Sequence, residues 1–306
     1  MKQPELQIAM KTHHNRQPQA RLVSRQGQFP LNIVKLGVPR LHFADLYHRL
    51  LTLSWPRFSM LICLSYTVTN SLFALAYLAG GDCIANARPG SFQDAFYFSV
   101  QTMATIGYGS MYPRTDYANT IVAIQALFGL WGVAMVTGLA FSRFSRPTAR
   151  VIFSRVAVIA PFNGVPTLMY RTANQRFNQI LEAQQRATLI RNEVTAEGEF
   201  MRRFYDLELM RSHSPIFALT WTVMHAIEES SPLYQLTAQD LMEQQAEIVI
   251  TLTGIDETVS QTIHARHSFV ASEIIWNMRF VDILLKSATG GRVVDYTRFH
   301  DVKPVE

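Results

Sequence analysis

The sequence predicts a membrane α unit, with two spanning helices around a short re-entrant helix and loop, followed by an all-β sandwich. Three observations carry that expectation. Two long stretches, Phe58 to Gly81 and Tyr117 to Ser142, contain no charged residue. Between them lies a short uncharged run that ends in closely spaced glycines. After Arg150 the texture changes to short β-rich runs broken by Gly, Pro, Asn and Ser. With 306 residues, a net charge of +5 and a mean hydropathy of +0.06, the composition fits neither a wholly soluble nor a wholly embedded protein.

Residues 1–40 are polar and basic, with Lys2, Lys11, Arg16, Arg21, Arg25, Lys35 and Arg40, and lack the apolar core of a signal peptide. They read as a flexible cytoplasmic arm, in which the adjacent His13-His14 is solvated rather than metal-binding. From Leu41 to Trp55 the chain is amphipathic, with Leu46, Leu50 and Leu53 on one side and Asp45, His48 and Arg49 mostly on the other. That stretch is too short and polar to span, so it reads as an interfacial helix. The alternative, a surface helix of a soluble domain, is disfavoured by the span that follows.

Phe58 to Gly81 is about 24 positions, and at ~1.5 Å per residue it crosses a hydrocarbon core of ~30 Å. Asp82 to Asp94, with Pro89-Gly90, forms a turret, and Ser91 is placed to cap a short helix running from Ala95 to Thr105. Tyr117 to Ser142, about 26 positions, is the second span. Gly129, Gly132 and Gly138 permit close helix packing or a hinge there. Arg143, Arg146 and Arg150 follow at once, and with the basic arm they outnumber Arg88 and Arg114 between the spans. The positive-inside rule therefore places both termini in the cytoplasm. Cys63 and Cys83, one inside a span and one beyond its outer end, argue against a disulfide framework.

Strands are expected at Val156 to Ile159, Thr167 to Arg171, Ala187 to Val194, Phe204 to Leu209, Phe217 to Met224, Glu247 to Leu252 and Val281 to Leu285. Asn163-Gly164 and Gly290-Gly291 are hairpin turn signals, and Thr237-Ala238-Gln239-Asp240 resembles a capping box. The divisions predicted are an arm at 1–40, an interfacial and transmembrane unit at 41–145, and a β sandwich at 146–306.

The segment Thr105-Ile106-Gly107-Tyr108-Gly109 reads as an ion-selectivity filter. A potassium ion leaves water only where fixed oxygens replace its hydration shell, which a strand of carbonyls repeated in four chains about an axis can do. Aligning those carbonyls needs backbone angles that Gly107 and Gly109 reach at little steric cost. Thr105 would add its hydroxyl as the innermost ligand, and Tyr108 would brace the filter from behind. Gly-Tyr-Gly is also an ordinary turn in soluble proteins; the flanking spans and the uncharged run before it favour the filter.

The motifs resemble those of the inward-rectifier potassium channel family, above all its prokaryotic members. They include Ser54-Trp55-Pro56, Ala87-Arg88-Pro89-Gly90-Ser91-Phe92, and Ser99 to Gly109 through the filter. Arg146-Pro147-Thr148-Ala149, Ser230 to Tyr234, Ser272 to Trp276 and Asp295 to His300 continue the match. The resemblance implies a homotetramer in the cell inner membrane, with an immunoglobulin-like cytoplasmic domain and potassium as the permeant ion. It implies no enzyme activity, cofactor or nucleic-acid partner. The chain departs from the family's strong rectifiers in two places. Val133 stands where they carry an acidic residue that binds blocking cations, and Gln101 and Met111 stand where they carry a glutamate paired with an arginine. At these positions the resemblance implies neither strong polyamine block nor the usual brace behind the filter.

Val133 and Phe141, eight apart on the inner helix, are candidates for a gate of converging apolar side chains. Arg49, Arg57, Arg143, Arg146 and Arg150 gather at one predicted membrane level and are candidates for anionic lipid headgroups, the alternative being that they only set topology. Glu197 and Glu199 would share a face if they lie on a strand, and Glu199 matches a glutamate that lines the family's cytoplasmic ion path, with Mg2+ as a shallow blocker. Gly198 between them could instead mark a turn. Two other functions compete: a less selective cation pore, and a membrane-anchored sensor or enzyme using His264, His267, Glu228 and Glu229. Histidines three apart on a strand point to opposite faces, which disfavours the second.

Overall fold

The computed structural model describes residues 46–286 and 292–305. The arm at 1–40, residues 41–45 of the interfacial segment and the Gly290-Gly291 turn lie outside the described residues. The chain divides into two compact units, one ending at Arg146 and one running from Pro147.

In the first unit, α1 (Leu46–Thr52) is a short helix and α2 (Trp55–Ala79) follows after two intervening residues, with Pro56 in its first turn. A proline there loses no intrahelical hydrogen bond, so Ser54-Trp55-Pro56 both ends one helix and starts the next. The 25 residues of α2 extend ~37 Å and the 29 residues of α4 (Asp116–Phe144) ~43 Å, and both are long and apolar enough to cross a membrane. Leu61, Leu64, Leu72 and Leu75 on α2 and Leu127, Leu130 and Trp131 on α4 are exposed in the single chain, an apolar surface that needs lipid or another subunit.

Between them, β1 (Ile84–Ala85) pairs with β2 (Tyr112–Pro113) and pins the two ends of the intervening segment together. That segment holds α3 (Phe92–Met103), a re-entrant helix that starts as expected: the Asp94 amide donates to Ser91 Oγ at 3.2 Å. Its apolar face packs Ala95 and Phe98 against Ala74, Tyr77 and Ala118, with the Tyr77 and Phe98 rings edge to face at 5.0 Å. Helix α3 thereby becomes a wedge between the two long helices.

The second unit is an all-β sandwich. One sheet has the order β11-β10-β6-β7, with β8 also on β6; its strands are β6 (Ile180–Val194), β7 (Phe200–Leu207), β8 (His213–Phe217), β10 (Glu247–Asp256) and β11 (Gln261–Val270). The other has the order β12-β4-β5-β3, with β9 on β5; its strands are β3 (Val151–Phe153), β4 (Ala157–Phe162), β5 (Val165–Asn174), β9 (Thr220–Ala226) and β12 (Ile274–Trp276). All pairings are antiparallel except β12 with β4. Strand alternation drives Ile248, Ile250 and Leu252 of β10 inward to meet Leu189, Tyr170, Val223 and Phe269 in the shared core. Two small ladders follow, β13 (Met278–Phe280) with β16 (Val302–Pro304) and β14 (Leu284–Lys286) with β15 (Arg292–Val294).

Asn163 and Gly164 take φ of +53° and +84° and close the β4 to β5 hairpin, because that two-residue turn needs left-handed backbone at both positions. Helix α5 (Ala238–Glu243) opens with the full Thr237 and Asp240 capping box. Two expected strands differ. Phe217 to Met224 breaks at Ala218-Leu219 into two strands. In Val281 to Leu285 only the last two residues extend, since the Asp282 carboxylate takes the Leu284 amide at 2.9 Å and turns the chain.

Candidate functional site

Helix α3 ends at Met103, and the next amides hang on its last carbonyls. The Ala104, Thr105 and Ile106 amides donate to Val100, Thr102 and Gln101 at 3.0, 3.2 and 2.9 Å. From there φ is positive at Thr105 (+53°), Gly107 (+62°) and Gly109 (+76°), and Ile106 and Tyr108 are not left-handed. A backbone alternating in handedness turns every second peptide unit over, which brings successive carbonyls to one side. Such a row can take the place of water around a small cation. The glycines satisfy the requirement without strain, and a Cβ on either would meet nothing within 4 Å, so backbone angle alone explains them. Thr105 was not expected to be left-handed. It is β-branched, and holding it there costs about 1–2 kcal/mol.

Residues Ala104 to Ser110 are exposed in the single chain, and Tyr108 is 73% exposed. Within one chain Tyr108 therefore braces nothing. Val133 and Phe141 are also exposed on α4, at 64% and 71%.

The five arginines do not form one set. Arg49, Arg57 and Arg146 are exposed, and Arg150 belongs to the second unit, where it is exposed too. Arg143 is half-buried and engaged within the chain. Its Nη1 and Nη2 each donate at 2.6 Å, to the carbonyls of Leu50 and Leu53, and its guanidinium lies over the rings of Trp55 and Phe58 at 4.7 and 4.4 Å. Carbonyls at the end of a helix have no intrahelical donor, and a planar fork satisfies two at once. Arg143 thus clasps the α1 to α2 corner.

Of the two arrangements open to Glu197 and Glu199 the structure has the turn: they lie between β6 and β7, not on a strand, and do not share a strand face. Gly198, at φ +85°, makes the turn, and the Thr195 amide donates to the Glu199 carbonyl at 2.8 Å. Both acids are exposed at the hairpin tip.

His264 and His267 stand on β11, the first exposed and the second buried with its ring stacked 5.1 Å from Phe153. Both line an open cavity of about 610 Å³ together with Arg155, Arg266 and His300. Guanidinium groups beside histidines repel a metal cation. Glu228 and Glu229 are exposed after β9, and among the described residues there is no His, Cys, Asp or Glu cluster suited to a metal.

Sequence reasoning missed a group of buried polar side chains, Asn70, Ser99 and Gln125, that meet where α2, α3 and α4 cross. The signal was present: amides in the middle of otherwise uncharged spans are costly in hydrocarbon unless they serve a purpose.

Both units of the chain are similar to known families. Residues 61–146 match the family described as "Ion channel", and residues 151–306 match "Inward rectifier potassium channel C-terminal domain". The chain is 51% identical over 272 residues to the inward rectifier potassium channel Kirbac3.1 of Paramagnetospirillum magnetotacticum, covering 89% of this chain and 92% of that one. It is 31% and 30% identical to the ATP-sensitive inward rectifier potassium channel 12 of Gallus gallus and of Mus musculus, in each case over 95% of this chain and 73% of the relative. With a matching domain over half its length and a relative alike nearly end to end, the chain belongs to the inward rectifier potassium channel family.

Proposed function

We propose that the protein is a homotetrameric potassium channel in which Thr105, Ile106, Gly107, Tyr108 and Gly109 of four copies form the conduction filter. The observation that carries this reading is the alternating backbone at 105, 107 and 109, mounted on a capped re-entrant helix between two membrane-length helices. Four such rows around an axis replace the hydration shell of potassium, and Tyr108 of each packs against its neighbour. Both termini lie in the cytoplasm, on the side where basic residues are concentrated.

The inner helices close the path where Val133 and Phe141 converge, because a ring of apolar side chains excludes water. Arg49, Arg57, Arg146 and Arg150 attract anionic lipid headgroups, each contributing ~1 kcal/mol that weakens with salt. Block by Mg2+ or polyamines is weak, since Val133 offers no charge in the inner helix.

The test is Gly107→Ala in liposomes. Alanine at φ +62° carries a left-handed penalty of about 1–2 kcal/mol in every subunit, so potassium over sodium selectivity should collapse while tetramers persist. Parental bi-ionic reversal potentials in the variant would remove the filter assignment. A less selective cation pore is the second reading, favoured by Gln101 and Met111, which form no ion pair behind the filter. The parent's own potassium to sodium reversal potential decides between the two.

A further inference from the structure

Four side chains form a directed chain of hydrogen bonds across the three helices around the filter. Tyr77 of α2 donates its hydroxyl to Gln125 Oε1 of α4 at 2.7 Å. Gln125 Nε2 donates to both the carbonyl and the hydroxyl of Ser99 on α3, at 2.9 and 2.6 Å. Ser99 Oγ donates in turn to Asn70 Oδ1 on α2 at 2.9 Å, and Asn70 Nδ2 donates to the Tyr66 carbonyl at 2.9 Å and faces Met103 Sδ at 3.4 Å. Asn70, Tyr77, Ser99 and Gln125 are all 0% exposed, and each of their side-chain polar atoms has a partner.

A slot between apolar helices tolerates sliding; this one does not. If α3 moved along α2 or α4, several buried polar groups would lose partners in a medium that supplies none. The close approach has a backbone counterpart. A Cβ on Gly129 would stand 2.6 Å from the Met103 carbonyl, so α4 touches the last turn of α3 only because residue 129 is glycine. That last turn carries the carbonyls on which Ala104, Thr105 and Ile106 hang.

We infer that the Tyr77, Gln125, Ser99 and Asn70 network is a positioning device that sets the height of α3 and so holds the filter in register, with Gln125 and Ser99 at its centre. It serves where Gln101 and Met111 supply no ionic brace. The inference rests on the potassium-channel reading. These are positioning residues, since none touches the permeant ion.

The test uses full-length tetramers of the parent, Ser99→Ala, Gln125→Leu and Tyr77→Phe. Two readouts are the potassium to sodium permeability ratio in liposomes and the extra thermal stability that potassium confers over sodium. The ratio should fall about fivefold to tenfold in Ser99→Ala and Gln125→Leu, the worth of one interhelical hydrogen bond in a membrane, and less in Tyr77→Phe. The potassium-specific stabilisation should shrink in the same order. A network that only holds the fold lowers the melting temperature equally in both salts and leaves the ratio at its parental value; that result overturns the inference. Failure of Ser99→Ala to assemble also counts against it, because removing one hydroxyl would then have disturbed the scaffold and not the filter. A parent without potassium preference rejects the channel reading itself.

Discussion

Thr105 is held in a left-handed conformation that β-branched residues avoid, and it sits at the junction of helix α3 and the alternating segment. Strain of this kind persists where surrounding structure over-determines the backbone, here through the hydrogen bonds to Thr102 and Gln101 on either side. In the β unit a different residue makes a pH prediction. His225 is buried, with Nδ1 2.6 Å from the Glu208 carbonyl and Nε2 2.7 Å from Ser231 Oγ. Burial pushes its pKa down, against smaller upward pulls from Glu208 and Glu228. The folded state therefore binds fewer protons than the unfolded one, and stability falls as pH drops below the unfolded value of ~6.5. The melting temperature of the full chain should decline as pH falls below about 6.5, and His225→Gln should reduce that slope. Asp256 acts in a lower window. Burial would raise its carboxyl, yet the Thr258 amide, Asn178 and Arg176 hold it below the usual range. Its contribution is lost only below about pH 4, so the two groups are separable.

Helix α1 is too short to be stable alone, and none of its residues is buried. What holds it is Arg143, from the far end of α4, whose fork takes the Leu50 and Leu53 carbonyls while its face covers Trp55 and Phe58. Arg143→Ala should release the α1 to α2 corner at a cost of about 1.5–3 kcal/mol per charged hydrogen bond. Amide exchange over residues 46–53 should speed up accordingly. Lysine should not rescue it, since an ammonium cannot fork to two carbonyls while lying flat on two rings. Exchange at parental rates in Arg143→Ala would show that the corner holds itself.

A single chain leaves residues 104–110, Tyr108 among them, and the apolar faces of both long helices exposed, so the functional unit is larger than one chain. Four copies would cover these surfaces and bring Phe141 toward the axis near the end of α4. If Phe141 closes that path, Phe141→Ala should raise basal potassium flux in liposomes several-fold, on the order of tenfold where dewetting is the main barrier. Unchanged flux in assembled tetramers would place the gate elsewhere.

The spans, the Ser91 cap, the Asn163-Gly164 turn and the Thr237 capping box were all legible because each depends on residues within a few positions of one another. The left-handed backbone at Gly107 and Gly109 was legible for the same reason, since those glycines declare their own angles. Strands β1 to β3, β12, β13, β15 and β16 were not, because two or three residues carry no readable alternation, and β11 was passed over although its buried and exposed residues alternate. Glu197 and Glu199 have the spacing of a strand face and lie on a turn, a choice Gly198 makes once β6 and β7 pair. Arg143 looked like one basic residue among several until the fold brought the carbonyls of Leu50 and Leu53 within its reach, more than 80 residues away in the chain. The network of Asn70, Tyr77, Ser99 and Gln125 exists only where three helices cross, and hydrogen bonds between remote segments leave no periodicity in a sequence.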